Sequence, residues 1–425
     1  MSPAAPVGNR FLRPQAFAVP SALPFCFCEY VIMAHPLMHT YGRLPVSFSQ
    51  GHGAWLKDTD GQSYLDALSG IAVCGLGHAH PSVTAALQEQ AARLLHTSNL
   101  YGVPLQEELA GALCPRTGTD AAFFCNSGAE ANEAAIKLAR LHGHRRGVTT
   151  PRILVMDNAF HGRTLAALAA TGNAKAQEGF GPLPEGFERI PFDDLAAVDR
   201  AAADYDDIVA VLVEPIQGEG GIRVPASGYL AGLRERCDRN GWLLMLDEVQ
   251  SGVGRTGRWL ASQHEGVSGD VVTLAKGLAN GVPIGACLAR GEAAEILGPG
   301  SHGSTFGGNQ LAACAALAVL NTLDEEDLIQ RAEHLGKRIQ TGLRERLADE
   351  PGVLDIRGRG LMLGIELDRP CSDVVTRALD EHLLINVTAQ SVVRLLPPLI
   401  LTDDEAEQMT DQVAGLIRGF LRDAR

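Results

Sequence analysis

An apolar strand, a short polar or glycine-containing loop and a helix follow one another repeatedly from about Thr119 to Arg290. Strands that alternate with helices in this way pair in a mostly parallel sheet, which helices cover on both faces. The sequence therefore predicts an α/β fold, in which ligands bind at the carboxyl ends of the strands. The predicted strands are Ala121–Cys125, Arg152–Met156, Ile208–Val213, Trp242–Leu246, Val271–Ala275 and Ile284–Ala289.

The chain has 425 residues, which is enough for more than one domain. Before the alternating region, Ala54–Leu65 reads as a hairpin, and from about Leu311 onward a long helix, short strands and a final helix predict a smaller α+β domain. Thr402 and Glu405 form a capping box that starts this final helix. We expect four parts: an N-terminal extension (1–32), a segment that packs with the small domain (33–80), a large domain (81–310) and the small domain (311–425). The extension is expected to be disordered, to precede the true start of the protein or to be a transit peptide.

The formal net charge of −14 argues against a surface for nucleic acid or for an anionic membrane. The nine cysteines are mostly dispersed and contain no CxxC, which is typical of reduced thiols in a cytoplasmic protein. His78 and His80 lie close together, but no further residues complete the spacing of a zinc site. We therefore expect a cytoplasmic protein with no metal, no membrane partner and no nucleic-acid partner.

Lys276 and Asp247 each follow or end a predicted buried strand. Burial lowers the pKa of a lysine, as a Schiff-base lysine requires, although a solvated loop lysine is the alternative. A buried aspartate needs a positive or hydrogen-bonding partner, such as a protonated pyridine nitrogen. The alternative for Asp247 is a structural residue that caps the next turn. Because one strand–helix–strand step separates the two residues, their side chains can meet over one bound ring.

Three further segments follow predicted strands and carry residues suited to ligand binding. Ser127, Gly128 and Ala129 begin a helix, whose free N–H groups and dipole attract anions such as phosphate. Phe160 could stack on a planar ring and Arg163 could bind a carboxylate, whereas Glu214 and Glu219 border a glycine-rich loop. The alternative is an ordinary turn for the first segment, a core phenylalanine with a surface arginine for the second, and a solvated loop for the third.

Together these segments resemble the class III (ornithine-type) aminotransferases, with similarity from about Tyr41 to the C-terminus. The resemblance implies a fold-type I transferase that uses pyridoxal 5′-phosphate (PLP), with a mostly parallel seven-stranded sheet between helices and a smaller α+β domain. Two C-terminal segments resemble the bacterial members that act on acetylornithine, Ile385–Ala389 and Val393–Leu399. The motifs that carry the family resemblance are Asn126–Glu133, Phe160–Thr164, Glu214–Gly221, Leu246–Gln250, Leu274–Gly277 and Gly303–Asn309.

The resemblance also implies a role for each matching residue. The expected catalytic residues are Lys276, which binds the cofactor covalently and moves the substrate proton, and Asp247, which pairs with the pyridine nitrogen. The expected cofactor-binding residues are Gly128, Ala129, Phe160, Asp247, Glu248, Val249, Gln250, Lys276 and Thr305, with Gln250 at the ring hydroxyl and Thr305 reaching the phosphate of the neighbouring subunit. The expected substrate-binding residues are Arg163, Ser304, Glu219 and Arg394, of which the last two would pair and separate as the two substrates exchange.

The expected function is transfer of the terminal amino group of N-acetylornithine to 2-oxoglutarate, by a ping-pong mechanism in arginine biosynthesis. Both substrates are small molecules, and the expected assembly is a homodimer with active sites at the interface. Alternatives are another donor (ornithine, succinyldiaminopimelate, succinylornithine or 4-aminobutyrate) or a mutase of the glutamate-1-semialdehyde type. A cofactor-free binding protein of the same fold is disfavoured, because Lys276 and Asp247 are both present.

Overall fold

A computed structural model describes residues 37–423, and the predicted extension (1–32) lies outside these residues. From Val46 onward the described residues form one compact unit, to which all the elements below belong. The strands are β1 Phe48–His52, β2 Trp55–Asp58, β3 Ser63–Asp66, β4 Ala121–Cys125, β5 Arg152–Met156, β6 Phe187–Ile190, β7 Ile208–Val213, β8 Leu243–Asp247, β9 Val271–Leu274, β10 Gly285–Ala289, β11 Val353–Arg359, β12 Met362–Leu367, β13 Leu383–Leu384, β14 Asn386–Thr388 and β15 Val392–Leu395. Apart from an irregular helical turn at Ser69–Ala72, the α-helices are α1 Pro81–Arg93, α2 Pro104–Thr117, α3 Gly128–Arg145, α4 Leu165–Ala170, α5 Ala174–Gln177, α6 Leu195–Asp204, α7 Tyr229–Asn240, α8 Gln310–Glu325, α9 Leu328–Arg346, α10 Asp373–Asp380 and α11 Asp403–Asp423.

The central sheet has seven strands in the order β4-β10-β9-β8-β7-β5-β6. Strands β6, β5, β7, β8 and β9 pair in parallel, whereas β10 is antiparallel to both of its neighbours. Alternate residues of β5 face opposite sides of the sheet. Ile153 and Val155 therefore pack with α3, while Leu154 and Met156 pack on the other side. The predicted mostly parallel sheet between two helical layers is confirmed.

Several details differ from the strands predicted from the sequence, and the start of β10 at Gly285 is the smallest of them. Strand β8 is displaced by one residue and includes Asp247, and β9 ends at Leu274, so Ala275 and Lys276 begin a turn. Strand β6 was not predicted because it is short and contains Glu188 and Arg189. It lies at the edge of the sheet, where charged side chains can reach water.

The C-terminal part contains a second sheet, in the antiparallel order β11-β12-β15-β14. Helices α9 and α11 pack against each other through buried faces that include Ile339 and Val413. The predicted capping box is confirmed, because Thr402 Oγ1 accepts from the Glu405 N–H at 3.2 Å and Glu405 accepts from the Thr402 N–H at 2.8 Å. These contacts fix the start of α11.

The hairpin β2–β3 turns at Asp60–Gly61, as predicted, and belongs to a third sheet in the order β1-β2-β3-β13. In that sheet β13, which comes from the C-terminal part of the chain, pairs in parallel with β3. The proposed division of the chain at residues 80 and 310 stays a prediction.

Candidate active site

A cavity of about 380 Å³ opens at the edge of the central sheet where the parallel strands end. Strands β5, β7, β8 and β9 all have their carboxyl ends at this edge, because they pair in parallel. The sheet therefore brings together residues that are far apart in the sequence. The predicted site residues that line the cavity are Gly128, Ala129, Phe160, Arg163, Glu219, Asp247, Val249, Gln250 and Lys276.

Lys276 is the first residue after β9 and Ala275, in a tight 3₁₀ turn. Its φ of 43° lies in the left-handed region, which is unfavourable for a residue other than glycine and is often found at functional sites. Burial lowers the pKa of its amino group, although the carboxylate of Glu219 acts in the opposite direction. Within residues 37–423, its Nζ has no acidic partner at ion-pair distance. The lysine is therefore held at the cavity with a proton that is easier to remove.

Asp247 is buried at the end of β8 and is held by hydrogen bonds from several directions. Its Oδ2 accepts from Asn132 Nδ2 at 2.8 Å and lies 2.7 Å from His161 Nδ1, while its Oδ1 accepts from the Val249 N–H at 3.1 Å. Thr273 Oγ1 donates to Asn132 Oδ1 at 2.8 Å and so orients that amide. A carboxylate fixed in this way can present its charge to a cationic ring nitrogen without reorganising.

The N-terminus of α3 forms part of the cavity wall. Ser127 caps the helix by accepting the Glu130 N–H at 3.2 Å, so the first turn directs its free N–H groups at the cavity. A Cβ at Gly128 would lie 2.6 Å from Val249 Cγ1, so only glycine permits this close approach. The turn combines free donors with the positive end of the helix dipole, which suits a phosphate.

Phe160 and Arg163 lie in the loop after β5, and the guanidinium carbon of Arg163 is 5.4 Å from the centroid of the Phe160 ring. The buried carboxylate of Glu214 connects this loop to the next one. It accepts from the Phe160 N–H at 2.8 Å and from the Gly218 N–H at 3.0 Å. Burial raises the pKa of Glu214 to about 7, with nearby Asp247 acting in the same direction and His161 against it.

Glu219 and Arg394 form an ion pair at one side of the cavity, with 2.5 Å between Oε1 and Nη1. Burial acts to raise the pKa of Glu219, but the adjacent guanidinium outweighs it and the pKa is lowered. Gln250 Oε1 accepts from the same Nη1 at 3.3 Å. A buried arginine beside the cavity, masked by one carboxylate, is thus available to a ligand that displaces that carboxylate.

Residues 37–417 match the family model for class III aminotransferases. This protein is a class III aminotransferase. It is 57% identical to the acetylornithine aminotransferase of Nitrosomonas europaea, over 92% of this chain and 99% of that protein. It is 47% identical to the acetylornithine aminotransferase of Corynebacterium efficiens, over 90% of this chain and 94% of that protein.

Solved structures of aminotransferases are also similar. The ornithine aminotransferase of Toxoplasma gondii aligns with a TM-score of 0.88 and 37% identity, covering 92% of this chain and 94% of that one. The acetylornithine aminotransferase of Elizabethkingia anophelis aligns with a TM-score of 0.81 and 33% identity, covering 90% of this chain and 96% of that one. The class III aminotransferase fold therefore extends over nearly the whole described chain.

Four of the predicted site residues do not line the cavity. Glu248, expected at the cofactor, points away from it and accepts from the N–H groups of Ala261 and Ser262, each at 2.9 Å. Ser304 Oγ accepts from Asn126 Nδ2 at 3.2 Å, and Thr305 is exposed. Arg394 lies behind Glu219 and Gln250.

The sequence alone indicated no role for Asn132, His161 or Thr273, which hold Asp247. It also gave no sign of the two hydrogen bonds that Glu214 accepts. One signal was available for Asn132, because it lies four residues after Gly128 and therefore on the same face of α3. His161 directly follows Phe160, but its bond to Asp247 depends on the packing of two separate strand ends. Thr273 is the third residue of a strand that reads as purely structural.

The cavity of this aminotransferase fits pyridoxal phosphate by the chemistry of its walls. The N-terminus of α3 offers donors for a phosphate, Phe160 offers a ring face, and Asp247 offers a buried carboxylate for a ring nitrogen. Lys276 offers a buried amine. No cluster of His, Cys, Asp and Glu suited to hold a metal ion occurs among residues 37–423.

Proposed function

We propose that this protein moves the terminal amino group of N-acetylornithine to 2-oxoglutarate, with PLP as its cofactor. Relatives that are 47–57% identical over most of the chain are named acetylornithine aminotransferases, and this identity is the observation that carries the proposal. A crystal structure of the T. gondii ornithine aminotransferase, 37% identical to this chain, shows partial occupancy of PLP at the active site. An ornithine donor is the alternative, supported by the TM-score of 0.88 with the T. gondii ornithine enzyme.

Bound PLP supplies an electron-withdrawing ring at the carbon atom that carries the amino group. In this proposal Asp247 keeps the ring nitrogen protonated, and the Asn132 and His161 contacts keep Asp247 in place. Lys276 would hold the cofactor and would take and return the substrate proton, and burial lowers its pKa in the direction that this role requires. Phe160, which lines the cavity, would stack on the ring, and Gly128 and Ala129 would bind the phosphate through backbone N–H groups.

Arg163 would bind the α-carboxylate of the donor, since it lines the cavity beside Phe160. Within residues 37–423, no acidic side chain lies at ion-pair distance from its guanidinium. Glu219 and Arg394 would remain paired while the amino donor binds and would separate for the second carboxylate of 2-oxoglutarate. A site that accepts both substrates in turn requires such an exchangeable charge.

The proposed assembly is a homodimer with active sites at the interface. The strongly exposed large apolar side chains include Leu100 (86%), Tyr101 (70%) and Phe306 (60%). They lie close together, because Asn99 Nδ2 donates to the backbone oxygen atoms of Ser304 and Gly307. A patch of this kind marks a protein interface. The exposed Thr305 lies within it, as expected if it reaches the partner's phosphate.

We also propose a cytoplasmic location, supported by the cysteines within residues 37–423, none of which forms a disulfide. Among residues 37–423, no helix combines the length and apolar character needed to cross a bilayer.

The test of the proposed function is a comparison of donors in a single half-reaction. The purified holoenzyme is mixed with N-acetylornithine, ornithine or 4-aminobutyrate, and the change in cofactor absorbance is followed. The proposal predicts the highest rate per unit concentration with N-acetylornithine. A higher value with free ornithine would retain the aminotransferase mechanism but refute the proposed donor.

A further inference from the structure

Arg394 has an unusual set of partners for a fully buried guanidinium. Its Nε donates to Asn386 Oδ1 at 3.0 Å, and its Nη1 donates to Gln250 Oε1 at 3.3 Å and to Glu219 Oε1 at 2.5 Å. Its Nη2 is buried and has no hydrogen-bond partner. Within the described residues, Glu219 is therefore the only carboxylate that pairs with this charge, while the other two partners are neutral amides.

Asn386 is held in its place by the sheet. Strands β14 and β15 are antiparallel, and Asn386 lies directly opposite Arg394 in their register. Side chains at opposite positions of such a pair project on the same face and come into contact. The amide thus fixes the direction of the guanidinium whether or not Glu219 is present.

Glu219 differs from Asn386 because its backbone is anchored to the sheet while its side chain, which pairs with Arg394, is partly exposed. Thr388 Oγ1 donates to the Glu219 carbonyl oxygen at 2.6 Å, which ties the loop to β14. The Glu219 side chain is 36% exposed, whereas that of Arg394 is 0% exposed. The ion pair can therefore open by rotation of the Glu219 side chain, while Arg394 and the loop backbone stay in position.

A buried arginine that loses its only carboxylate partner is strongly destabilised until another anion replaces it. We propose that Asn386 is a specificity-determining positioning residue, whose neutral amide aligns Arg394 and leaves its charge to either Glu219 or a ligand carboxylate. This inference rests on the proposed use of Arg394 for the second carboxylate of 2-oxoglutarate. An acidic residue at position 386 would keep the alignment and neutralise the arginine permanently.

Asn386→Asp tests this inference, because aspartate has the same shape as asparagine and accepts the same hydrogen bond from Nε. The probes are glutarate, an unreactive five-carbon dicarboxylate, and pentanoate, which lacks the second carboxylate. Their dissociation constants are measured on the holoenzyme by isothermal titration calorimetry. Asn321→Asp on the exposed face of α8 is the matched control for the added charge.

We expect Asn386→Asp to weaken glutarate binding roughly tenfold or more and pentanoate binding less than about twofold, since a competing carboxylate affects only the second site. Asn386→Ala, which removes the alignment without adding charge, should weaken glutarate binding by a smaller factor. Glu219→Gln should strengthen glutarate binding, because it removes the competing charge. Asn321→Asp should change neither constant.

Equal glutarate affinity in wild type and Asn386→Asp would overturn the inference, since it would show that the amide merely supports the structure. If Asn386→Asp does not fold, unchanged glutarate binding in Asn386→Ala would overturn it equally. A wild-type protein that binds glutarate no better than pentanoate would instead refute the use of Arg394 for a second carboxylate. The two failures are therefore distinguishable.

Discussion

Glu214→Gln is the perturbation whose effect follows most directly from the described contacts. The buried carboxylate of Glu214 accepts the N–H groups of Phe160 and Gly218, next to Asp247 and His161. Lys276 also lies close enough to interact with it electrostatically. Glutamine has nearly the same shape but no ionisable proton, so the variant separates the charge of Glu214 from its size.

Burial raises the pKa of Glu214 from 4.5 to about 7 in the folded protein. The native state therefore holds this proton more tightly than the unfolded state does, and ionisation costs stability. This cost is absent below about pH 4.5, grows as the pH rises and is complete above about pH 7. At 1.36 kcal/mol per pKa unit, the shift amounts to about 3 kcal/mol. Relative to the glutamine variant, the wild type should lose this amount between about pH 4.5 and 8.

The assay is urea-induced unfolding of the cofactor-free protein at a series of pH values, so that no pyridinium charge contributes. The measured quantity is the difference in unfolding free energy between wild type and Glu214→Gln at each pH. Glu345→Gln is the matched control, because Glu345 is exposed on α9. Loss of one acceptor in the Glu214 variant adds an offset that does not depend on pH, so the slope carries the information.

A difference that stays constant from about pH 4.5 to 8 would refute the reasoning, because it would mean that Glu214 ionises alike in the folded and unfolded states. A difference that changes in the opposite direction would mean that neighbouring positive charge outweighs burial. A slope of similar size in Glu345→Gln would assign the effect to net charge instead of burial.

Two further predictions concern the proposed catalytic residues. Lys276→Ala should lower the rate of transamination by about a thousandfold or more while leaving the dimer intact, because it removes the amine that binds the cofactor and moves the proton. The rate is measured as kcat and the dimer by size-exclusion chromatography. Near-normal turnover would contradict the mechanism. Asp247→Ala should weaken PLP binding roughly ten- to a hundredfold, since it removes a charge-assisted hydrogen bond and leaves Asn132 and His161 without their acceptor. Fluorescence titration of the cofactor-free protein measures this affinity, and an unchanged dissociation constant would exclude a role for Asp247 at the ring nitrogen.

The strand–helix alternation alone was enough to predict the parallel sheet and the edge at which the site lies. Apolar strands such as Ile208–Val213 are buried on both faces, and only helices on both sides can provide that burial. The motifs after these strands could also be recognised, because small residues at the start of a helix suit a phosphate and a lysine directly after a buried strand is unusual. The family resemblance then implied roles for individual residues that composition and spacing alone do not indicate.

Other features depend on residues that meet only in the folded chain. The order of the strands brings β5, β8 and α3 together, so that His161 and Asn132 both reach Asp247. Glu248 is adjacent to Asp247 in sequence, but the end of β8 turns its side chain away from the cavity.

The sequence by itself determined the class of fold, the edge of the sheet that carries chemistry and the residue types at that edge. The tertiary structure decided which side chains interact, as Glu214 does electrostatically with Asp247 and His161, and as Asn386 does by accepting a hydrogen bond from Arg394. The physical reason is the separation along the chain over which each signal acts. Periodicity reports burial that neighbouring residues share, whereas hydrogen bonds and pKa shifts depend on distances of a few ångströms between segments far apart in the chain.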